Sequence, residues 1–254
     1  MSRQDSEAEP QPLPSRRTFI VHAAGLAALL PAAGTRGMAV AADAAATPAN
    51  SAPNPTAPAP NAGYTLFGPE ESAFVEMLVD VMCPADALTP RGTDCGLAIY
   101  MDRQLAGDFG KGGRMYSHGP WTPGKPQQGY QLPLKPAEFF KAGIAAARAA
   151  AQTRFGKSFD QLAPADADAF LVDLAAGKVT DSRLSLSDWF SQLVYPLFQQ
   201  ACFADPVYGG NRNKVFWKAI GYPGLPAFHA QNMVQYRGKP FPGAQDPKSI
   251  LDFS

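Results

Sequence analysis

The chain has 254 residues, with 22 Lys and Arg against 22 Asp and Glu, and 46% of it is hydrophobic. A formal net charge of zero excludes the basic footprint with which proteins release counterions from nucleic acid. Of the 27 Phe, Trp and Tyr residues only Phe19 precedes Tyr64, so the core has to be built from residue 64 onward.

The first residues read as an address. A polar stretch leads to Ser15-Arg16-Arg17-Thr18-Phe19-Ile20, then to an uncharged run that ends at Leu30. From Phe19 to Leu30 there are 12 residues, too few for the ~20 that a membrane-spanning helix needs but the right length for a signal h-region. Arg16, Arg17 and Phe19 resemble the twin-arginine export motif, with Val21 where Lys usually stands. Ala39-Val40-Ala41 offers a cleavage site, with Ala44 as the alternative end, and residues 1–42 are assigned to the signal peptide. From Asp43 to Ala62, 13 of 20 residues are Ala or Pro, which predicts a disordered linker over 43–63. The twin-arginine route is associated with cargo folded before export, commonly around a cofactor or with a partner.

Residues 64–254 predict a single compact all-α domain of about six helices with long Pro/Gly-rich loops. Gly68-Pro69-Glu70-Glu71 opens the first helix, with proline at its first position and acids in its first turn. Phe74, Met77, Leu78 and Val81 then follow helical spacing as far as Cys83-Pro84. A second helix is expected over 94–107, with Leu97, Tyr100, Met101 and Leu105 inward. Between Gly110 and Pro133 lie ten Gly and Pro residues, together with Tyr116, His118, Trp121 and Tyr130, a pattern for a long packed loop. Pro136 opens a third helix to about Phe155, and Pro164 a fourth that is capped near Gly177. Ser187 is expected to cap a fifth, which carries Trp189, Phe190, Leu193, Val194, Leu197 and Phe198 and is kinked by Pro196. A short sixth runs over 213–220. Period-two alternation is absent.

The inventory of chemistry is thin. After signal removal the histidines are His118 and His229, and the cysteines are Cys83, Cys95 and Cys202. The sequence spells no haem attachment, zinc-ligand pair, P-loop or Rossmann fingerprint. Export favours a disulfide between Cys83 and Cys95, which loop closure would make worth about 3 kcal/mol, with free buried cysteines as the alternative. Cys202 is expected to be buried as a small hydrophobe, with an intermolecular bridge as the alternative. The densest motif is Tyr208-Gly209-Gly210-Asn211, followed by Trp217-Lys218 and Gly221-Tyr222-Pro223-Gly224. It suits a tight turn capping a short helix that tucks an aromatic inward, and equally a partner-facing surface. Tyr208, Gly209, Gly210, Asn211, Trp217 and Tyr222, with Trp121 from the long loop, are therefore the candidate partner-binding residues.

Those three motifs resemble the small, gamma-type subunit of gluconate 2-dehydrogenase, a family that includes the small subunits of fructose and sorbitol dehydrogenases. The resemblance covers approximately 66–240. The segment from Gly107-Asp108-Phe109 to Gln131-Leu132-Pro133-Leu134 is similar to the longer, gluconate-type branch. The resemblance implies a non-catalytic chain that supports export, assembly and stability of an FAD-containing large subunit, which oxidises gluconate. It implies further a multi-haem cytochrome c subunit, the twin-arginine translocase as export partner, and a periplasmic complex on the inner membrane. FAD and haem c would then belong to the partners, and this chain would hold no catalytic, cofactor or metal site and touch the membrane only through the complex. A related FAD-dependent fructose, sorbitol or glucose dehydrogenase is the alternative complex. Two other classes stand beside it: a stand-alone sugar-acid binding module using the loop 107–136, and an autonomous enzyme built on His118 and His229.

Overall fold

A computed structural model describes residues 63–253, apart from 114, 117, 123, 126, 127 and 227. The expected export motif at Arg16, Arg17 and Phe19, the expected signal peptide and nearly all of the expected linker lie outside the described residues. Within them the fold is helical, as the sequence predicts. The main helices are α1 (Pro69–Met82), α2 (Leu97–Ala106), α3 (Pro136–Phe155), α4 (Pro164–Ala175), α5 (Leu186–Trp189), α6 (Tyr195–Phe203), α7 (Val215–Ile220) and α8 (Ala230–Gln235). Short 3-10 turns fill several connections, and the described residues contain no strand.

Helices α1, α3 and α4 each begin at the expected proline. The missing proline N–H falls where a helix has no partner for it. At α1 and α3 a glutamate three residues past the cap folds back onto the cap amide, Glu71 on Gly68 at 2.9 Å and Glu138 on Lys135 at 2.9 Å. The fifth helix starts earlier than expected, because Ser185 rather than Ser187 caps it by accepting from the Asp188 amide at 3.2 Å. Its predicted kink is a π-helical turn over Phe190–Val194, where the Tyr195 amide reaches back five residues to the Phe190 carbonyl. Pro196 has no N–H to continue the α-helical pattern and its ring crowds the carbonyl of Gln192, so the turn widens just ahead of it.

The core is aromatic. Trp189 is fully buried and packs against Phe140 and Phe74, with ring centroids 5.8 and 6.4 Å away. Gly143 in the middle of α3 makes that packing possible. A Cβ there would sit 2.2 Å from the indole. Helix α3 thus accepts the destabilisation of an interior glycine, about 1 kcal/mol, in exchange for a close-packed tryptophan.

The start of the domain is fastened by one buried carboxylate. Asp102, 1% exposed on α2, accepts the backbone amides of Thr65, Leu66 and Phe67 at 2.7, 2.9 and 2.8 Å. Tyr64 adds a hydrogen bond to Glu76 at 2.7 Å, and Lys141 donates to the Leu66 carbonyl at 3.0 Å.

The predicted disulfide is corrected: Cys83 and Cys95 are both buried and not bonded, as is Cys202. Each of the two thiols donates to the same acceptor, the Pro90 carbonyl, at 3.7 Å from Cys83 and 3.6 Å from Cys95. The loop between α1 and α2 folds inward so that a backbone oxygen satisfies both thiols, and the pair serves as a small apolar filling. Burial pushes all three thiols up, Cys95 to about 11, so they stay protonated and inert.

Candidate functional site

The Tyr-Gly-Gly-Asn motif forms a clasp that closes the end of α6 onto the start of α2. After Phe203 the chain turns, and Asp205 accepts the Val207 amide at 3.0 Å to set a 3-10 turn over Pro206–Tyr208. Gly209 follows at φ 103°, in a conformation that favours glycine. A Cβ at Gly210 would lie 2.5 Å from the Ala201 carbonyl oxygen, so α6 and the clasp approach too closely for any side chain. The Arg212 amide then donates to the Cys95 carbonyl at 3.1 Å, tying the clasp to the chain two residues before α2.

Asn211 is the hub. It is fully buried at φ 45°, and its side-chain amide bridges two segments. The Nδ2 group donates to the Ala204 carbonyl at 3.2 Å while Oδ1 accepts the Phe216 amide at 3.0 Å. One side chain thus satisfies the end of α6 and an orphan N–H in the first turn of α7. Asn213 and Lys214 share the left-handed conformation, at φ 57° and 58°, which explains why α7 begins only at Val215. Trp217 is 5% exposed, and its indole N–H donates to the Phe203 carbonyl at 2.8 Å. Tyr222 packs edge-on against that indole, with centroids 5.1 Å apart.

The last motif, Gly221-Tyr222-Pro223-Gly224, docks the C-terminal segment. Lys248 donates its amide to the Pro223 carbonyl at 2.9 Å and accepts the Leu225 amide at 2.8 Å. Gly224, at φ 74°, lies so near the Lys248 backbone that a Cβ would fall 2.0 Å from its carbonyl oxygen. His229 uses both ring nitrogens in this region: Nδ1 faces the Asn232 amide nitrogen at 3.1 Å and Nε2 the Gly224 carbonyl at 3.0 Å. The arrangement fits Asn232 donating to Nδ1, with the ring proton on Nε2.

The structure therefore divides the candidate partner-binding residues. Gly209, Gly210, Asn211 and Trp217 are buried, while Tyr208 and Tyr222 are 47% and 38% exposed. Trp121 lies half-buried in the loop between α2 and α3. That loop is fastened at its ends by the Ala137 amide on the Gly110 carbonyl, 3.1 Å, and by Tyr130 packed on Phe139 at 4.4 Å. Tyr116, 78% exposed, stands in the same loop with its ring 5.8 Å from that of His118. Sequence reasoning missed Asp102 as a buried hub and missed helix α8, while it singled out Asn211 and read the asparagines here as caps of the short helix without seeing the bond from Asn211 back to Ala204. An asparagine between a glycine pair and a short helix was the signal available for Asn211. Among the described residues no helix is long and apolar enough to cross a membrane, and no group of three or more His, Cys, Asp and Glu is placed to hold a metal ion.

The chain belongs to the gluconate 2-dehydrogenase subunit 3 family, whose sequence model matches residues 69–224. The match begins at the first residue of α1 and ends at the glycine that docks the C-terminal segment, so it spans the helical core and the whole clasp. No curated protein and no solved structure matches the chain. As a family member the protein is one subunit of a multi-subunit gluconate 2-dehydrogenase.

Proposed function

We propose that the chain is the non-catalytic small subunit of a periplasmic, membrane-associated gluconate 2-dehydrogenase, supporting export, assembly and stability of an FAD-containing large subunit. The family match over the helical core and clasp carries this reading. The use of the domain's buried polar groups agrees with it. Asp102 holds three amides at the start of the helical domain, and Asn211 joins α6 to α7. Their chemistry goes into making a rigid shape, which is what a chaperoning subunit presents to its partner. Flavin chemistry then belongs to the large subunit, and electrons pass from there to a cytochrome c subunit.

Arg16 and Arg17 complete the reading. A signal for folded cargo on a chain of this kind would carry a flavoprotein out together with its escort. Replacing both arginines by lysine is expected to strand this chain and the flavoprotein in the cytoplasm, as fractionation and flavin absorbance would report. Normal export of the flavoprotein alongside a stranded small subunit would overturn the escort role.

A further inference from the structure

One half-buried arginine of the described domain has a built seat and no counter-charge. Arg103 lies in the last turn of α2, and its guanidinium makes no hydrogen bond or ion pair among the described residues. By contrast Arg148 and Arg154 on α3 are matched, to Glu70 at 2.6 Å and Asp173 at 2.8 Å. The carboxylate that bears on Arg103 is Asp102, whose two oxygens are already taken by the amides of Thr65, Leu66 and Phe67.

The seat is made of backbone. Gly209 of the clasp, at φ 103°, leaves room for the side chain, since a Cβ there would fall 2.5 Å from Nη1 of Arg103. Gly96, at φ 77°, abuts Gly209. A Cβ on Gly96 would fall 2.2 Å from the Gly209 carbonyl oxygen and 2.7 Å from Nε of Arg212. Two touching glycines, one before α2 and one in the clasp, thus seat two arginines. Burial, and then the like charge of Arg212, pull the Arg103 guanidinium below its ordinary value, and Asp102 offsets this only in part. Holding one cation beside another without an acid costs stability that a bound anion would restore. Arg212 has further ties of its own, so the open donors are those of Arg103.

Resting in part on the subunit reading above, we infer that Arg103, reinforced by Arg212, is a receptor for a carboxylate from outside this chain. A guanidinium is a planar fork that matches a carboxylate with two parallel hydrogen bonds, and a seat of packed glycines holds the fork in place before the ligand arrives. Two sources present that chemistry. One is an acidic side chain or C-terminus of the FAD-containing large subunit, and the other is the carboxylate of a free sugar acid. The glycines of the clasp then do two things at once: they let α2 and the clasp touch, and they keep an unpaired arginine at that junction.

The test uses the full-length chain in two arms. Tagged and purified from its native cells, it is scored for co-purifying flavoprotein by flavin absorbance. Freed of partners, it is titrated with sodium gluconate, and separately with glucose, at constant ionic strength while its melting temperature is read. Arg103→Gln is the variant and Arg183→Gln, an exposed arginine beside Asp181, the control. Without ligand, Arg103→Gln should melt at the same temperature as the wild type or higher, because an uncompensated charge is removed. If the large subunit supplies the carboxylate, Arg103→Gln should lower the recovered flavin about tenfold or more, Arg103→Lys should regain part of it, and Arg183→Gln should lose none. If a sugar acid supplies it, gluconate and not glucose should raise the wild-type melting temperature saturably, and Arg103→Gln should abolish the rise. Full flavin recovery by Arg103→Gln, together with no gluconate-specific rise in the wild type, overturns the receptor and leaves the subunit reading intact. A melting temperature lowered by Arg103→Gln without ligand makes the arginine a structural element and also overturns the receptor. A wild-type chain that recovers no flavoprotein overturns the subunit reading, and the gluconate titration then decides the receptor by itself.

Discussion

Two glycine-rich loops of this domain look alike in sequence and differ in kind. The loop between α2 and α3 and the clasp between α6 and α7 both mix glycine with aromatic residues. In the clasp the glycines are closely surrounded: Gly209, Gly210 and Gly96, which faces them, would each drive a Cβ to 2.5 Å or less from another atom of the fold. In the other loop Gly110 is equally tight at the anchored end, but Gly129 meets nothing within 4 Å and Tyr116 stands in solvent. The clasp uses glycine to let backbones touch, and the loop uses it to turn freely. The motif thus spends Gly209, Gly210, Asn211 and Trp217 inside the fold and leaves Tyr208 and Tyr222 exposed. Most of the family signature is internal carpentry, and the exposed apolar surface begins at its edges.

Substitutions should expose this contrast. The largest effect is expected for Trp217→Ala, which empties a buried site and orphans the Phe203 carbonyl. It should lower stability by about 3–5 kcal/mol in urea unfolding. Asn211→Ala follows at about 2–4 kcal/mol, because the Ala204 carbonyl and the Phe216 amide both lose their partner. Loss of under 1 kcal/mol at either position would show that the clasp is not a structural element. Tyr116→Ser in the other loop should change stability by no more than about 0.5 kcal/mol, as for an exposed side chain outside the core. A cost like that of Trp217 would erase the distinction between the loops. The smallest effect concerns the residue on which the clasp rests. Reductant should leave the melting temperature unchanged, and Cys83, Cys95 and Cys202 should react with a thiol reagent only after unfolding, because burial holds the thiols protonated. A lower melting temperature on reduction would restore a bridge.

Much of this architecture was legible in the sequence where the signal is local. Pro69, Pro136 and Pro164 announce helix starts because proline suits the first helical turn, and Pro196 announces an interruption because it lacks a donor. What escaped is tertiary. Asp102 lies 35 to 37 positions from the amides it holds, so nothing near it in sequence points to them. The spacing of Cys83 and Cys95 suited a bridge, but the Pro90 carbonyl took both thiols. Helix α8 carries no apolar stripe toward a core, so its periodicity is silent. The clasp was readable as a capped turn, but whether it faced inward depended on α2, a hundred residues earlier.

The most direct test of the account is to purify the tagged, full-length chain gently from its native cells. The eluate would be examined for flavin and c-type haem absorbance and assayed for gluconate-dependent dye reduction. The account predicts a coloured complex whose activity disappears from the small subunit once the flavoprotein is stripped away. A colourless chain that emerges folded and alone, or one that oxidises gluconate without a partner, would contradict it.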